Sequence, residues 1–393
     1  MKADIHNGGN MSAAKNARRL AAAGLCLLSA LCGAPAFAGG GGSVGMQVLK
    51  SDISPRAMAM GGAFTAVADD IYSLTYNPAG LGQLYIPEAS AMYLSGFDDA
   101  KLDNIAAGMP LPIKGMAGIS KPAVGLSLLM SDAGSFNLRQ INDNGTITSG
   151  SFDAQKDLAL TFGYGERVYS EETNIMGYKG NIDQYFGLSG KYVKSTILEN
   201  YSASCFAFDL GWLVMDPELG LAAGASWSNL LDTGLRYGNE TTKLPSIVRA
   251  GLSYQRPTIM DQSFMLALDG DFNTNEGSKT NSLRLGMEYH FEKIFNLRLG
   301  YRSEKANPGI TMGFGLRYDD MSFDFATGMG SEVYNTSELA FTYKFSGIKV
   351  KQYKKNTNYK DPEPAHAAPK PAQSKPAPAA PAKKKDSDFF WIY

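Results

Sequence analysis

The chain has 393 residues, 37 basic against 38 acidic, and a formal net charge of −1. That balance excludes the strongly basic face by which nucleic-acid-binding domains are known. Its mean hydropathy of −0.18 excludes a bundle of membrane helices, yet Gly (43), Tyr (20) and Phe (20) are abundant and only 19% of residues are charged, the mixture that a membrane β-barrel produces.

The first segment, residues 1–38, reads as a secretion signal. Lys15, Arg18 and Arg19 form a basic start, Leu20 to Leu31 an apolar stretch, and Ala36-Phe37-Ala38 a small-x-small cleavage pattern. The apolar stretch falls short of the ~20 residues a spanning helix needs. Removing the signal leaves one cysteine, Cys205, so no internal disulfide stabilises the exported chain.

Residues 39–87 differ in character from the strand-rich remainder of the chain. They carry the string Arg56-Ala57-Met58-Ala59-Met60-Gly61-Gly62-Ala63-Phe64-Thr65-Ala66-Val67-Ala68-Asp69-Asp70, then Asn77-Pro78-Ala79-Gly80-Leu81. This "MGGAF…NPAGL" pattern, placed just before the first strand, resembles the opening of the PorV/PorQ family within the wider FadL-like group of outer-membrane barrels. The resemblance implies a barrel of about fourteen strands with the N-terminal segment folded inside as a plug or hatch. The residues suit that role. Gly61-Gly62 permits a sharp turn or a close approach to a wall, and Asn77-Pro78 fixes a turn with Gly80 beside it. Met58, Met60, Phe64 and Val67 are placed to pack on barrel or ligand, and Arg56, Asp69 and Asp70 to pair with lumen charges. Sealing alone and sealing with gating both remain open.

From about residue 88 to 346 the chain is a succession of alternating segments. Leu283, Leu285, Met287, Tyr289 and Phe291 alternate with Arg284, Gly286, Glu288 and His290, and Ile310, Met312, Phe314, Leu316 and Tyr318 with Thr311, Gly313, Gly315 and Arg317. Side chains at successive strand positions face opposite sides, so each segment has an apolar and a polar wall. About fourteen strands are predicted, near 89–97, 103–109, 123–132, 153–165, 182–196, 202–215, 219–230, 245–256, 264–273, 281–291, 295–304, 309–319, 321–329 and 337–345. The fold class is therefore all-β, a transmembrane antiparallel barrel in the outer membrane. The connections 133–152 and 229–244 read as long outer loops, 216–218 and 319–320 as tight periplasmic turns, and 110–122 and 166–181 as periplasmic connections longer than usual. Asp269, Asp271, Arg284, Glu288, Arg298, Arg302 and Arg317 fall on the polar walls and are expected to form a lumen charge network, since unpaired buried charge is costly. Phe341, Tyr343 and Phe345 end the last strand with the aromatic pattern by which barrel-assembly machinery recognises its clients.

No catalytic constellation emerges. His290 falls on a polar wall, and no Ser–His–acid spacing accompanies it. No cluster matches a metal site, so neither metal nor cofactor is expected. Residues 347–393 form a Pro/Ala/Lys-rich tail, expected to be disordered and periplasmic. It ends in Phe389-Phe390-Trp391-Ile392-Tyr393, an aromatic tip suited to docking a partner. The family resemblance implies a docking or carrier barrel serving a protein-secretion machine and its exported cargo. The broader FadL-like group implies the alternative, passive uptake of hydrophobic small molecules past a hatch. The other partner implied is outer-membrane lipid.

Overall fold

In the computed structural model the described residues run from 44 to 348, apart from 96–99, 142–146, 176–177, 260–261, 276–280, 293, 304–308 and 331–334. The signal (1–38) and the tail from 349 onward, with its aromatic residues 389–393, lie outside them.

Strands form where alternation supplies one face for lipid and one for the interior. They are β1 (Glu88–Ser95), β2 (Lys101–Pro110), β3 (Ala123–Asp132), β4 (Ser135–Ile141), β5 (Ile147–Asp153), β6 (Gln155–Ile175), β7 (Tyr178–Ile197), β8 (Tyr201–Asp216) and β9 (Leu221–Asp232). There follow β10 (Leu235–Tyr237), β11 (Glu240–Thr242), β12 (Ile247–Ile259), β13 (Gln262–Asn273), β14 (Ser282–Phe291), β15 (Phe295–Ser303), β16 (Gly309–Tyr318), β17 (Met321–Gly330) and β18 (Asn335–Lys344). Fourteen of these close a single antiparallel barrel in the order β1-β18-β17-β16-β15-β14-β13-β12-β9-β8-β7-β6-β3-β2. Closure is made by β1 on β18, with Glu88 opposite Lys344 and Ser95 opposite Ser337. It leaves no sheet edge, which lipid would not tolerate.

The outer face is apolar all the way round. Ile105, Leu126, Phe162, Leu252, Leu285, Leu299, Met312 and Phe341 stand exposed from successive parts of the wall, a surface that only a membrane covers. Aromatic residues gather toward its rims, with Tyr93 and Tyr201 near one and Tyr254, Phe291, Tyr318 and Phe345 near the other. No helix among the described residues is long and apolar enough to cross a membrane, so the crossing is made by strands. Phe341, Tyr343 and Phe345 all lie on the lipid side of β18 or just beyond it, the last two in edge contact at 4.7 Å.

Two regions differ from the sequence expectation. Residues 166–181 are not a connection: β6 and β7 run on as a paired hairpin arm, past a bulge between Arg167 and Tyr169. Val168 and Tyr169 favour strand, and their polar neighbours Glu166, Glu171 and Glu172 hid the continuation because no membrane face patterns them. The long outer connections, in turn, hold the hairpins β4–β5 and β10–β11.

The segment before β1 fills the interior. The helical turn Pro55–Ala59 packs on β15 to β18, and the turn Pro78–Gln83 on β3 and β6 to β8. What admits it is a belt of inward-facing glycines. Gly108 lies opposite Gly125, and Gly125 opposite Gly163. Gly165 is level with Gly187, Gly187 with Gly211, Gly224 with Gly251 and Gly286 with Gly300. A methyl added at Gly300 would meet the Gly61 nitrogen at 2.0 Å, and one at Gly187 the Pro78 carbonyl carbon at 2.2 Å. Plug and wall thus touch backbone to backbone.

Gly300→Ala or Gly187→Ala should therefore unseat the plug at a cost of ~1–3 kcal/mol. Gly190→Ala, whose methyl meets only the Phe208 ring at 3.6 Å, should change stability by less than ~0.5 kcal/mol. Urea unfolding of the barrel refolded into vesicles measures both.

Candidate functional site

The interior segment is a chain of short turns rather than a strand, so its fastening to the wall must come from side chains and from isolated backbone groups. Ser54 caps the first turn, its hydroxyl accepting from Ala57 N at 3.3 Å, with Pro55 at the first helical position. The turn stops at Gly61 (φ +68) and Gly62 (φ +83). A side chain at Gly61 would strike the Tyr301 carbonyl oxygen at 2.7 Å, and one at Gly62 the Arg284 guanidinium at 2.1 Å. Glycine is required there both for conformation and for space. Further along, Asn77 donates through Nδ2 to Thr65 O (2.8 Å) and Trp212 O (3.1 Å), while its Oδ1 accepts from Ala79 N at 3.2 Å. Pro78 then opens the second turn, and Gly80 has its missing Cβ 2.0 Å from Ala68 O.

Three polar fastenings hold this segment. At the end of the barrel with the short turns, Arg56 binds Asp69 and Asp70 of its own segment and Glu288 of β14, the last at 2.9 Å. Glu288 also takes Arg298 Nε at 2.8 Å, and Arg298 reaches Asp324 of β17 at 2.5 Å. Midway, Asp269 of β13 accepts from the backbone N–H groups of Phe64 (2.8 Å) and Thr65 (2.7 Å). Nearby Thr311 takes Gly61 N at 2.9 Å and donates to Ala59 O at 3.2 Å. Toward the other end, Asp52 meets Arg302 (3.1 Å), Arg284 (3.3 Å) and the Tyr76 hydroxyl (3.1 Å). Arg284 continues to Asp271 (2.8 Å), which also faces Arg249 at 3.4 Å. Apart from Asp69, whose side chain is partly exposed, the members are largely buried, so each of their charges depends on its partner.

Burial alone would raise the Asp52 carboxyl, but Arg302 and Arg284 outweigh it and hold it below the usual carboxylate range. Arg56 does the same for Asp69. Asp70 goes the other way: burial, with Asp69 and Glu88 adding to it against the pull of Arg56, pushes it up to about 7.

Between these fastenings runs one unbroken apolar cluster. It begins at Leu235, Leu244 and Met46 under the outer hairpin β10–β11, where Val44 bridges Lys243. It passes Ile53, Leu129 and Val193 and reaches Phe64, Ile71, Leu74, Leu81 and Leu84 toward the opposite end. Phe64 packs edge-on to Tyr76 at 5.3 Å and under the Arg56 guanidinium at 5.5 Å. Met60 belongs to this cluster, while Met58 packs separately on Ala59 and Ala326. The seam is close-packed. A cavity of about 20 Å³ between Val48, Leu49 and the wall has room for one water. A concavity of about 1320 Å³ lies on the lipid side instead, lined by Leu252, Leu266, Leu285 and Leu299 and by the backbones of Gly286 and Gly300. There the glycine belt lets the wall bend in over the plug.

Of the residues expected to form a lumen charge network, Asp271, Arg284, Glu288, Arg298 and Arg302 are joined in ion pairs. Asp269 is not: it holds backbone N–H groups, because the turn at Phe64-Thr65 leaves those donors without acceptors in their own segment. Arg317 faces inward at the rim and meets no carboxylate at ion-pair distance among the described residues, since β16 ends one residue later. His290 donates through Nδ1 to Asn296 Oδ1 (2.6 Å) beside Glu288. No group of metal-binding side chains occurs among the described residues. Sequence reading missed Asp52, Thr311 and Asp324. Alternation puts the last two on the inner face, but nothing local marks them as contacts of a distant segment.

No family model matches the chain, and no curated protein does. Among solved structures it is similar to the Ralstonia pickettii toluene transporter TbuX, with 12% identity, 74% of this chain and 98% of that chain covered, and a TM-score of 0.47. The Pseudomonas putida toluene transporter TodX gives 12% identity over 74% and 97% with a TM-score of 0.44. The CymD monoaromatic hydrocarbon channel gives 11% over 75% and 97% with 0.47.

Asp70 has a testable consequence. A carboxyl raised from 3.8 to about 7 by folding contributes stability that is complete below the unfolded value and is lost as pH rises through about 7. Asp70→Asn should flatten that part of the unfolding midpoint measured between pH 4 and 8, whereas Arg56→Ala should lower stability at every pH by ~3–5 kcal/mol.

Proposed function

We propose that the protein is a passive, hatch-gated channel for hydrophobic small molecules across the outer membrane. The observation that carries this reading is the apolar seam between plug and wall, continuous from the outer hairpin to the opposite rim. It is bounded by three separate polar fastenings, at Glu288, Asp269 and Asp52. A molecule that enters the seam replaces one apolar contact by another, so the path costs little desolvation. Among the described residues the plug's strand-type pairing with the wall is the single bridge of Val44 to Lys243, and its glycine contacts give it a close but non-covalent seat. Displacement of Met46 to Leu49 would enlarge the small cavity beneath them. Arg56, Asp69, Asp70 and Asp52 would then act as the latch, and Gly61, Gly62 and Gly80 as the joints of the moving piece.

The secretion-platform reading suggested by the N-terminal motif needs a cargo surface on the outer loops. The uptake reading needs only what the described interior contains, and it is preferred for that reason.

Arg56→Ala combined with Asp52→Ala should loosen the hatch. In planar bilayers the unmodified protein is expected to show little ion conductance, and the double variant openings at least about tenfold more frequent, as loss of more than 1.4 kcal/mol of closure implies. In cells with a lipopolysaccharide outer membrane, the unmodified protein should speed uptake of a long-chain alcohol. Equal uptake with and without the protein would defeat the channel reading.

A further inference from the structure

The latch at the short-turn end of the barrel holds more acid than base, and its geometry leaves one carboxyl short. The Arg56 guanidinium gives Nε and Nη2 to Glu288, at 3.2 and 2.9 Å, and Nη1 to Asp69. Asp70 takes the last of its donors: its Oδ2 lies 3.3 Å from Arg56, while its Oδ1 accepts from Tyr72 N at 2.9 Å. The other bases facing the site are engaged elsewhere. Lys344 of β18 pairs with Glu88 of β1 at 3.1 Å, and Arg298 of β15 is shared between Glu288 of β14 and Asp324 of β17. Five carboxyls (Asp69, Asp70, Glu88, Glu288 and Asp324) thus stand against three bases (Arg56, Arg298 and Lys344). Arg317 lies near Lys344 at the rim, and His290 stands 3.5 Å from Glu288. The Asp70 side chain is 15% exposed, so it can exchange a proton with the water at this rim.

Asp70 also opens the turn that seats the plug on the two closing strands. Two residues on, the Tyr72 hydroxyl bonds Ser90 of β1 at 2.7 Å, and Ser90 bonds Thr342 of β18 at 2.8 Å. Protonated, Asp70 adds no charge to the cluster. Ionised, it places a further anion beside Asp69 and Glu88 with no base to itself, and like charges so close repel. Burial, with Asp69 and Glu88 adding to it, pushes its carboxyl up to about 7. We propose that the hatch is a pH-sensitive gate: the proton on Asp70 keeps the plug latched, and its loss as pH rises frees the plug at the short-turn end. The inference rests on the uptake reading above and adds the regulation of that same hatch. In a released plug Asp70 meets water and returns to an ordinary carboxyl, so the closed form binds the proton more tightly than the open one. Closure therefore weakens as pH rises toward 7 and is weakest above it.

The test counts openings of the full-length protein at pH 6 and pH 8, in planar bilayers of phosphatidylcholine, whose charge does not change over that range. Asp52→Ala serves as the background. It releases the fastening toward the other end, which makes openings frequent enough to count, and leaves the Asp70 cluster whole. Openings are expected to be about tenfold more frequent at pH 8 than at pH 6, as a carboxyl raised to about 7 in the closed form implies. Asp70→Asn, neutral at every pH, should hold the pH 6 frequency at both. Histidine is the residue type whose ordinary titration falls in this range, so His290→Gln is measured beside it and should leave the difference in place. A pH dependence that survives Asp70→Asn overturns the assignment to that residue. Equal frequencies at the two pH values, with Asp70 present, overturn the switch while the channel stands. If neither this background nor the double variant with Arg56→Ala opens at all, the channel reading falls and the switch with it. The comparison between the two pH values needs no Asp70 variant to fold.

Discussion

Everything inside this barrel depends on the contact between two backbones, the plug's and the wall's. A closed ring of fourteen strands cannot hold a folded segment of some forty residues at side-chain distance from its wall on all sides. Glycine removes the side chains where the two meet. Gly61 against Gly300, Pro78 against Gly187 and Thr65 against Gly224 are the points at which the segment is pressed into the sheet. The turns at Gly61-Gly62 and Asn77-Pro78 aim it there. Overpacking at such points has no soft side chain to absorb it.

The second constraint is electrostatic. The interior lies within the hydrocarbon span, so charge placed there must be compensated within the protein. Charges on facing strands and on the plug form chains of pairs, Asp69–Arg56–Glu288–Arg298–Asp324 and Arg302–Asp52–Arg284–Asp271–Arg249. Each chain ties the plug to several strands at once. Removing one member leaves the others without a partner, which makes these residues strong fasteners. Glu338 stands outside both chains.

The apolar residues divide between two solvents. Those facing out, such as Leu252, Leu285 and Phe341, meet lipid, while Phe64, Ile71, Leu74 and Leu81 meet one another and the wall. The lipid-facing concavity follows from the same glycines. Where Gly286 and Gly300 let the wall lie close on Met60 and Gly61, the outer surface is drawn in.

The strands were legible in the sequence because period-two alternation is a local property. Each barrel strand spans or overlaps its predicted range, and β3 matches it end to end. The arm of β6 and β7 was not legible, because outside the membrane its polar strand residues show no contrast between faces. The hatch motif was visible as a pair of turns, and Arg56, Asp69 and Asp70 as charges in search of partners. Asp69 and Asp70 pair with Arg56 of their own segment, but the wall partner of Arg56, Glu288, lies 232 residues away in the chain, and Asp269 turned out to serve backbone donors that no sequence pattern displays. By itself, then, the sequence determined which residues face lipid and which face inward, since that depends only on neighbours along one strand. Which inward residues meet the plug, which charges they pair with and which carboxyl is left alone were decided by closure of the barrel, because only closure sets the distances between strands that are remote in the chain.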